Sequence, residues 1–106
     1  MAPRWRHGWP IFSAVVSGEI QGGTAGSVLP NIACLQVMFK AEYDNAGRIY
    51  VGTGTTVTKA DGTTDTTTGL QLSAGEQTPW LSVANLNQLS RICDNNGDDL
   101  TYIALL

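Results

Sequence analysis

The chain is poor in most of the side chains from which active sites are built. Among 106 residues there is one histidine, His7, and there are two cysteines, Cys34 and Cys93. One histidine excludes a His-pair metal site and leaves no base for a Ser-His-Asp or Cys-His arrangement on the body of the domain. Charged residues make up 14% of the chain, against about 25% in soluble domains generally. The net charge is −3, so there is no basic field to draw nucleic acid to the body of the domain. No apolar run approaches the ~18 residues of a membrane span. Nor does Met1-Ala2-Pro3-Arg4-Trp5-Arg6 lead into the continuous apolar stretch of a secretory signal. A helical period of any length is also missing. Without a helix, Gly52-Thr53-Gly54 is a bend and not a phosphate loop.

What is present is alternation. Hydrophobic residues reach 42% and glycine numbers 12, a composition that argues against disorder and for a folded β domain. The stretch Cys34 to Gly52 organises it. Leu35, Val37, Phe39, Ala41 and Tyr43 alternate with polar Gln36, Lys40 and Glu42, which predicts a long half-buried strand. Asp44-Asn45-Ala46-Gly47 supplies a turn, and Ile49 and Val51 resume the inward face, so the stretch reads as a hairpin.

Shorter strands follow the same logic. Phe12 to Ile20 predicts a first strand, and Gln21 to Ser27 is a glycine-rich loop. Thr53 to Gly69 is threonine-rich with little to bury, so Thr63 to Thr68 reads as exposed edge or loop. Its spacing is too irregular for an ice- or sugar-binding ladder. Leu70 to Leu72, Thr78 to Val83 and Leu89 to Cys93 are strands, with a helical turn or corner at Asn85 to Leu89. Asp94-Asn95-Asn96-Gly97-Asp98 predicts a second hairpin turn. Leu100 to Leu106 is apolar on both faces, as expected of a central strand or of one at a subunit contact. Roughly eight short antiparallel strands with frequent turn signals predict an all-β, jelly-roll-like β-sandwich. Two regions follow: an extended N-terminal arm over residues 1–10 and a sandwich domain over residues 11–106.

Chemistry is thin. Asp94, Asp98 and Asp99 with Asn96 have the oxygen-rich look of a calcium loop but lack its bidentate Glu and its spacing. Asx side chains capping their own turn account for the same residues. Glu76 with Asp61 or Asp65 forms only the sort of carboxylate pair any chain offers. Cys34 and Cys93 read as buried thiols packed as small hydrophobes, with a cross-strand disulfide as the alternative. The sequence points to no enzyme, no metal and no cofactor.

Interaction residues are better represented. Arg4, Trp5, Arg6 and Trp9 lie in the arm, and two tryptophans gain nothing from exposure to water. They suit packing on a neighbouring subunit or partner, or folding back on their own domain. Trp80 alternates away from Leu81, and either lies outside the core or closes one end of the sandwich. These five are the candidate partner-binding residues.

The order Asn45-Ala46-Gly47-Arg48-Ile49-Tyr50-Val51-Gly52, Gly62-Thr63-Thr64, Thr68-Gly69, Leu72-Ser73-Ala74-Gly75-Glu76, Val83 to Leu89 and Asp94 to Asp98 resembles the small β-rich virion proteins of tailed bacteriophages. Among them it is most like the jelly-roll capsid decoration, or cement, proteins. The resemblance covers about two-thirds of the chain and carries no catalytic signature. It implies a non-enzymatic structural protein on the virion surface, assembled in the host cytoplasm as a dimer or trimer. Its expected partner is the major capsid protein, with neither nucleic acid nor membrane involved. A head–tail, tail or baseplate accessory protein and a carbohydrate-binding sandwich module are the alternative expectations.

Overall fold

A computed structural model describes residues 14–54, 57–58 and 69–106. Within them the chain forms seven strands: β1 (Val15–Gln21), β2 (Ser27–Val28), β3 (Gln36–Ala41), β4 (Ile49–Thr53), β5 (Leu70–Leu72), β6 (Leu89–Cys93) and β7 (Asp99–Leu105). They build two antiparallel sheets, ordered β1-β7-β3 and β2-β6-β4-β5.

An irregular edge completes the first sheet. Residues 75–86 run antiparallel beside residues 32–41, bridged at Ala33↔Asn85, Val37↔Leu81 and Lys40↔Gln77. Val37 and Leu81 exchange both backbone hydrogen bonds at 2.9 and 2.8 Å. From Gln77 to Leu81 the edge carries one more residue than β3 does from Lys40 to Val37, which is a β-bulge. Pro79 sits in it, at a position where no N–H is needed for the ladder. Counting this edge, the layers read β1-β7-β3-edge over β2-β6-β4-β5, and chain order threads them as an eight-stranded jelly roll. The all-β sandwich is therefore the fold.

The core lies between the layers. Val37, Phe39, Ala41, Ile49, Leu86, Leu100 and Ala104 are each 0% exposed. Alternation explains the inward face of β3 and β7: Val37, Phe39 and Ala41 of β3 meet Ala104, Tyr102 and Leu100 of β7 in register. Truncating Phe39 to alanine would cost about 3–5 kcal/mol, in line with other buried aromatics.

Two expected hairpins are corrected. β3 and β4 belong to different sheets, as do β6 and β7. The turns at Asp44–Gly47 and Asp94–Asp98 are thus corners that carry the chain from one layer to the other. Local turn chemistry specifies a reversal of direction, while the partner of each strand is chosen by nonlocal burial. The long strand also proves shorter than its alternation. Leu35 and Tyr43 are 48% and 86% exposed, because each lies beyond an end of β3, where no opposite layer covers it. Cys34 likewise lies just before β3 instead of inside a strand.

Three other expectations hold, for the turn after Asn85, for β7 and for the thiols. Asn85 caps a short 3-10 turn at Leu86–Gln88; its side chain accepts from Asn87 N–H, and Gln88 reaches back to the Asn85 N–H. β7 is the central strand of its sheet, flanked on both sides. Both cysteines are free thiols and buried. No helix among the described residues is long and apolar enough to cross a membrane.

Candidate interaction face

Three groups of side chains stand out: the acidic corners, an acidic row on the outer face of the β1-β7-β3 sheet, and an apolar stripe beside that row.

The corners carry the carboxylates that the sequence offers as calcium ligands. Their oxygens diverge onto backbone donors. Asp98 is 3% exposed and accepts the N–H groups of Ala46 and Gly47, both at 2.8 Å. Asp94 accepts from Arg48 N–H at 3.2 Å and from the Tyr50 hydroxyl at 3.3 Å. Asp99 accepts from Gly22 N–H at 3.2 Å, and Asn96 from Thr24 N–H at 2.9 Å. Asn45 closes the set: its amide donates to Asp99 O at 2.9 Å and its oxygen accepts Asp99 N–H at 3.0 Å. Burial pushes the Asp98 carboxyl up, but the Ala46 and Gly47 N–H groups and the Asn95 amide outweigh it and hold it below the usual range. These are fastenings between two corners and the β1–β2 loop: most of these side chains bond to a neighbouring segment, where the turn reading has them capping their own turn. Glu76 is similarly engaged with Ser73 N–H, at 2.7 Å; Asp61 and Asp65 lie outside the described residues.

The acidic row was not legible in the sequence. Glu19, Glu42 and Asp99 come from three separate segments, yet each brings a carboxylate oxygen within 4.8 Å of the others. Glu42 is pushed up to about 7, first by its hydrogen bond to Glu19, then by partial burial and by the charges of Glu19, Asp99 and Asp44. Among the described residues these three are the group whose geometry suits a cation, and their exposure is that of surface acids.

The apolar stripe follows from register. On the outer face, Val15 lies beside Leu105 and Gln36, Ser17 beside Ile103 and Met38, and Glu19 beside Thr101 and Lys40. The Val37↔Leu81 bridge brings Trp80 opposite Met38 on the edge. Val15, Trp80 and Ile103 are 56%, 41% and 39% exposed, while Met38 and Leu105 are half-buried. A shallow depression of about 210 Å³ opens here, lined in part by Met38, Lys40, Gln77 and Ile103. That is below the ~300 Å³ at which small-molecule pockets begin, and on the scale of one docked side chain.

Of the predicted partner-binding residues, Trp80 therefore lies on this face and outside the core. Arg4, Trp5, Arg6 and Trp9 lie outside the described residues, as do the whole arm and Thr63 to Thr68. Val15, Met38, Ile103 and Leu105 were missed as site residues. Their one signal was a last strand apolar on both faces, which here places one face on the core and the other in water. No protein-family model, curated protein or solved structure matches the chain.

Proposed function

We propose that this is a non-enzymatic virion structural protein, a decoration protein that binds the outside of an assembled phage head and reinforces it. The observation that carries the reading is the apolar stripe on the outer face of a domain with few charges. Outer faces of sandwich sheets are ordinarily polar, and contiguous exposed apolar surface marks an interaction site. A rigid jelly roll whose corner carboxylates are engaged by backbone N–H groups suits a scaffold role. Repeated docking on a symmetric lattice multiplies a modest affinity through multivalency. The resemblance to decoration proteins supports the same reading and names the major capsid protein as partner.

The test is direct. Purified protein is incubated with undecorated heads of a tailed phage and sedimented. Saturable co-sedimentation at micromolar protein is expected, weakened by Ile103→Glu, which places a charge in the stripe. Absence of binding at that concentration would overturn the proposal.

A further inference from the structure

We propose that the outer face of the β1-β7-β3 sheet receives the N-terminal segment, residues 1–13, of a second copy of this chain, with Arg4 and Arg6 on the Glu19–Glu42–Asp99 row and an arm tryptophan on the stripe. The inference rests on the preceding section only in treating this face as an interface, and it holds whatever larger structure the assembly joins.

Charge is the first argument. The described body carries three cationic side chains, Lys40, Arg48 and Arg91, against seven acidic ones. Arg91 donates to Gln21 O and Ala25 O at 3.0 and 2.8 Å, inside its own domain. Lys40 shares the outer face, in the same row as Glu19 across Thr101 and one row from Glu42. Residues 1–13 hold Arg4, Arg6 and His7 and no acid. The segment and the face are thus opposite in sign, and guanidinium groups are the natural partners of clustered carboxylates. A cation among the three would offset the Glu19, Asp99 and Asp44 charges that add to the Glu19 hydrogen bond and burial in pushing Glu42 up.

Shape is the second. Trp5 and Trp9 need amphipathic burial sites, and the stripe of Val15, Met38, Trp80, Ile103 and Leu105 offers one beside the acids. Its depression takes a single side chain.

Direction favours a second copy over the chain's own domain. Leu106 N–H still donates to Ala14 O at 2.8 Å, so Ala14 continues the line of β1 and residues 1–13 join the domain at its Val15–Leu105 end. The acidic row lies at the opposite end of the face, about 20 Å away at the strand rise. To bring Arg4 and Arg6 there in the same domain, the segment must reverse. Continuing outward, 13 residues reach about 43 Å, enough to span a neighbour's face.

A charge swap on the full-length chain tests this. Sedimentation equilibrium should give the wild type a mass above the 11.3 kDa of one chain, and that mass should fall as salt screens the pairing. Arg4→Glu/Arg6→Glu and Glu19→Lys/Glu42→Lys should each weaken association roughly tenfold or more, the scale of one to two kcal/mol that a few charge-assisted contacts supply. Their equimolar mixture should associate again, because the acidic arm of one now meets the basic face of the other. Circular dichroism of each variant checks that it remains folded. A wild type that is monomeric at sub-millimolar concentration overturns the proposal. So does association unchanged in both variants. A mixture that stays monomeric overturns it as well, and arm docking within one chain gives that result. Association without binding to phage heads would sink the decoration reading and leave this inference standing.

Discussion

Asp98 and Gly47 meet across one end of the sandwich: the Asp98 carboxylate accepts the Gly47 N–H at 2.8 Å with one oxygen and the Ala46 N–H at 2.8 Å with the other. The β6–β7 corner thereby holds the β3–β4 corner in place. Asp98→Asn keeps the size but turns one acceptor into a donor facing an N–H. Loss of charge-assisted bonds at a buried site predicts a destabilisation of about 2–3 kcal/mol, read by urea denaturation. The pH dependence has a fixed sign. The folded Asp98 carboxyl sits below its ordinary value of 3.8, so its contribution is present above that value and is lost as pH falls through the lower folded one. The variant should lose the corresponding part of the acid limb.

Glu42 works in the opposite sense. Raised from 4.5 to about 7, it binds more protons folded than unfolded between those values. Stability then falls as pH rises through that window and levels off above it. Denaturation midpoints of the monomeric chain at pH 4.5, 5.5 and 7.5 should show this decline, and Glu42→Gln should flatten it. A decline that persists unchanged in Glu42→Gln would rule out this origin.

How much of this was legible follows from what kind of signal each feature has. Inward faces were legible wherever a strand lies between neighbours: Val37, Phe39, Ala41, Ile49 and Val51 are all buried. The turn at Asn85 to Leu89 and the two reversals were legible because their chemistry is local. Pairing was not. A reversal rich in Asp, Asn and Gly has the same composition whether it returns the chain to its own sheet or lifts it to the other, and here both corners lift it. The acidic row unites Glu19, Glu42 and Asp99 across most of the chain, a juxtaposition that no window of sequence contains. Alternation with Leu81 leaves Trp80 either outside the core or closing one end, and the stripe it joins needed the register of four adjacent segments.

Ser90 offers a test in the other direction. Its hydroxyl is buried, at 1% residue exposure, and its oxygen has no hydrogen-bond partner. A small cleft of about 80 Å³ lies beside it, lined by Gly26, Ser27, Val28 and Ser90. An unpaired buried hydroxyl costs roughly 1–3 kcal/mol, so its removal relieves more than the small lost volume takes away. Ser90→Ala should be neutral or stabilising by about 1 kcal/mol in thermal unfolding. A clear loss of stability would mean that the hydroxyl is bonded in solution, through a water in that cleft.

Gly22 packs where no larger residue fits. A Cβ there would collide with the backbone carbonyl of Asp98 and lie 2.9 Å from Cys93 Sγ. Backbone on one side and a 0%-exposed thiol on the other leave nothing that can swing away cheaply. The Gly22 N–H also donates to Asp99 at 3.2 Å, and the neighbouring Gly23 O accepts Cys93 N–H at 2.9 Å. The β1–β2 loop is therefore seated on the β6–β7 corner by contacts that a methyl group would pry apart. Gly22→Ala should cost about 1–3 kcal/mol or more, the range for overpacking a rigid interior. Thiol reactivity gives an independent readout of the same opening. Burial pushes the thiols of both Cys34 and Cys93 up, so both should react slowly with a thiol reagent in the native wild type. In Gly22→Ala, Cys93 should react faster while Cys34, held against Val83 O at 3.3 Å in another part of the fold, should not. Equal acceleration of both cysteines would point to global unfolding instead of a loosened corner.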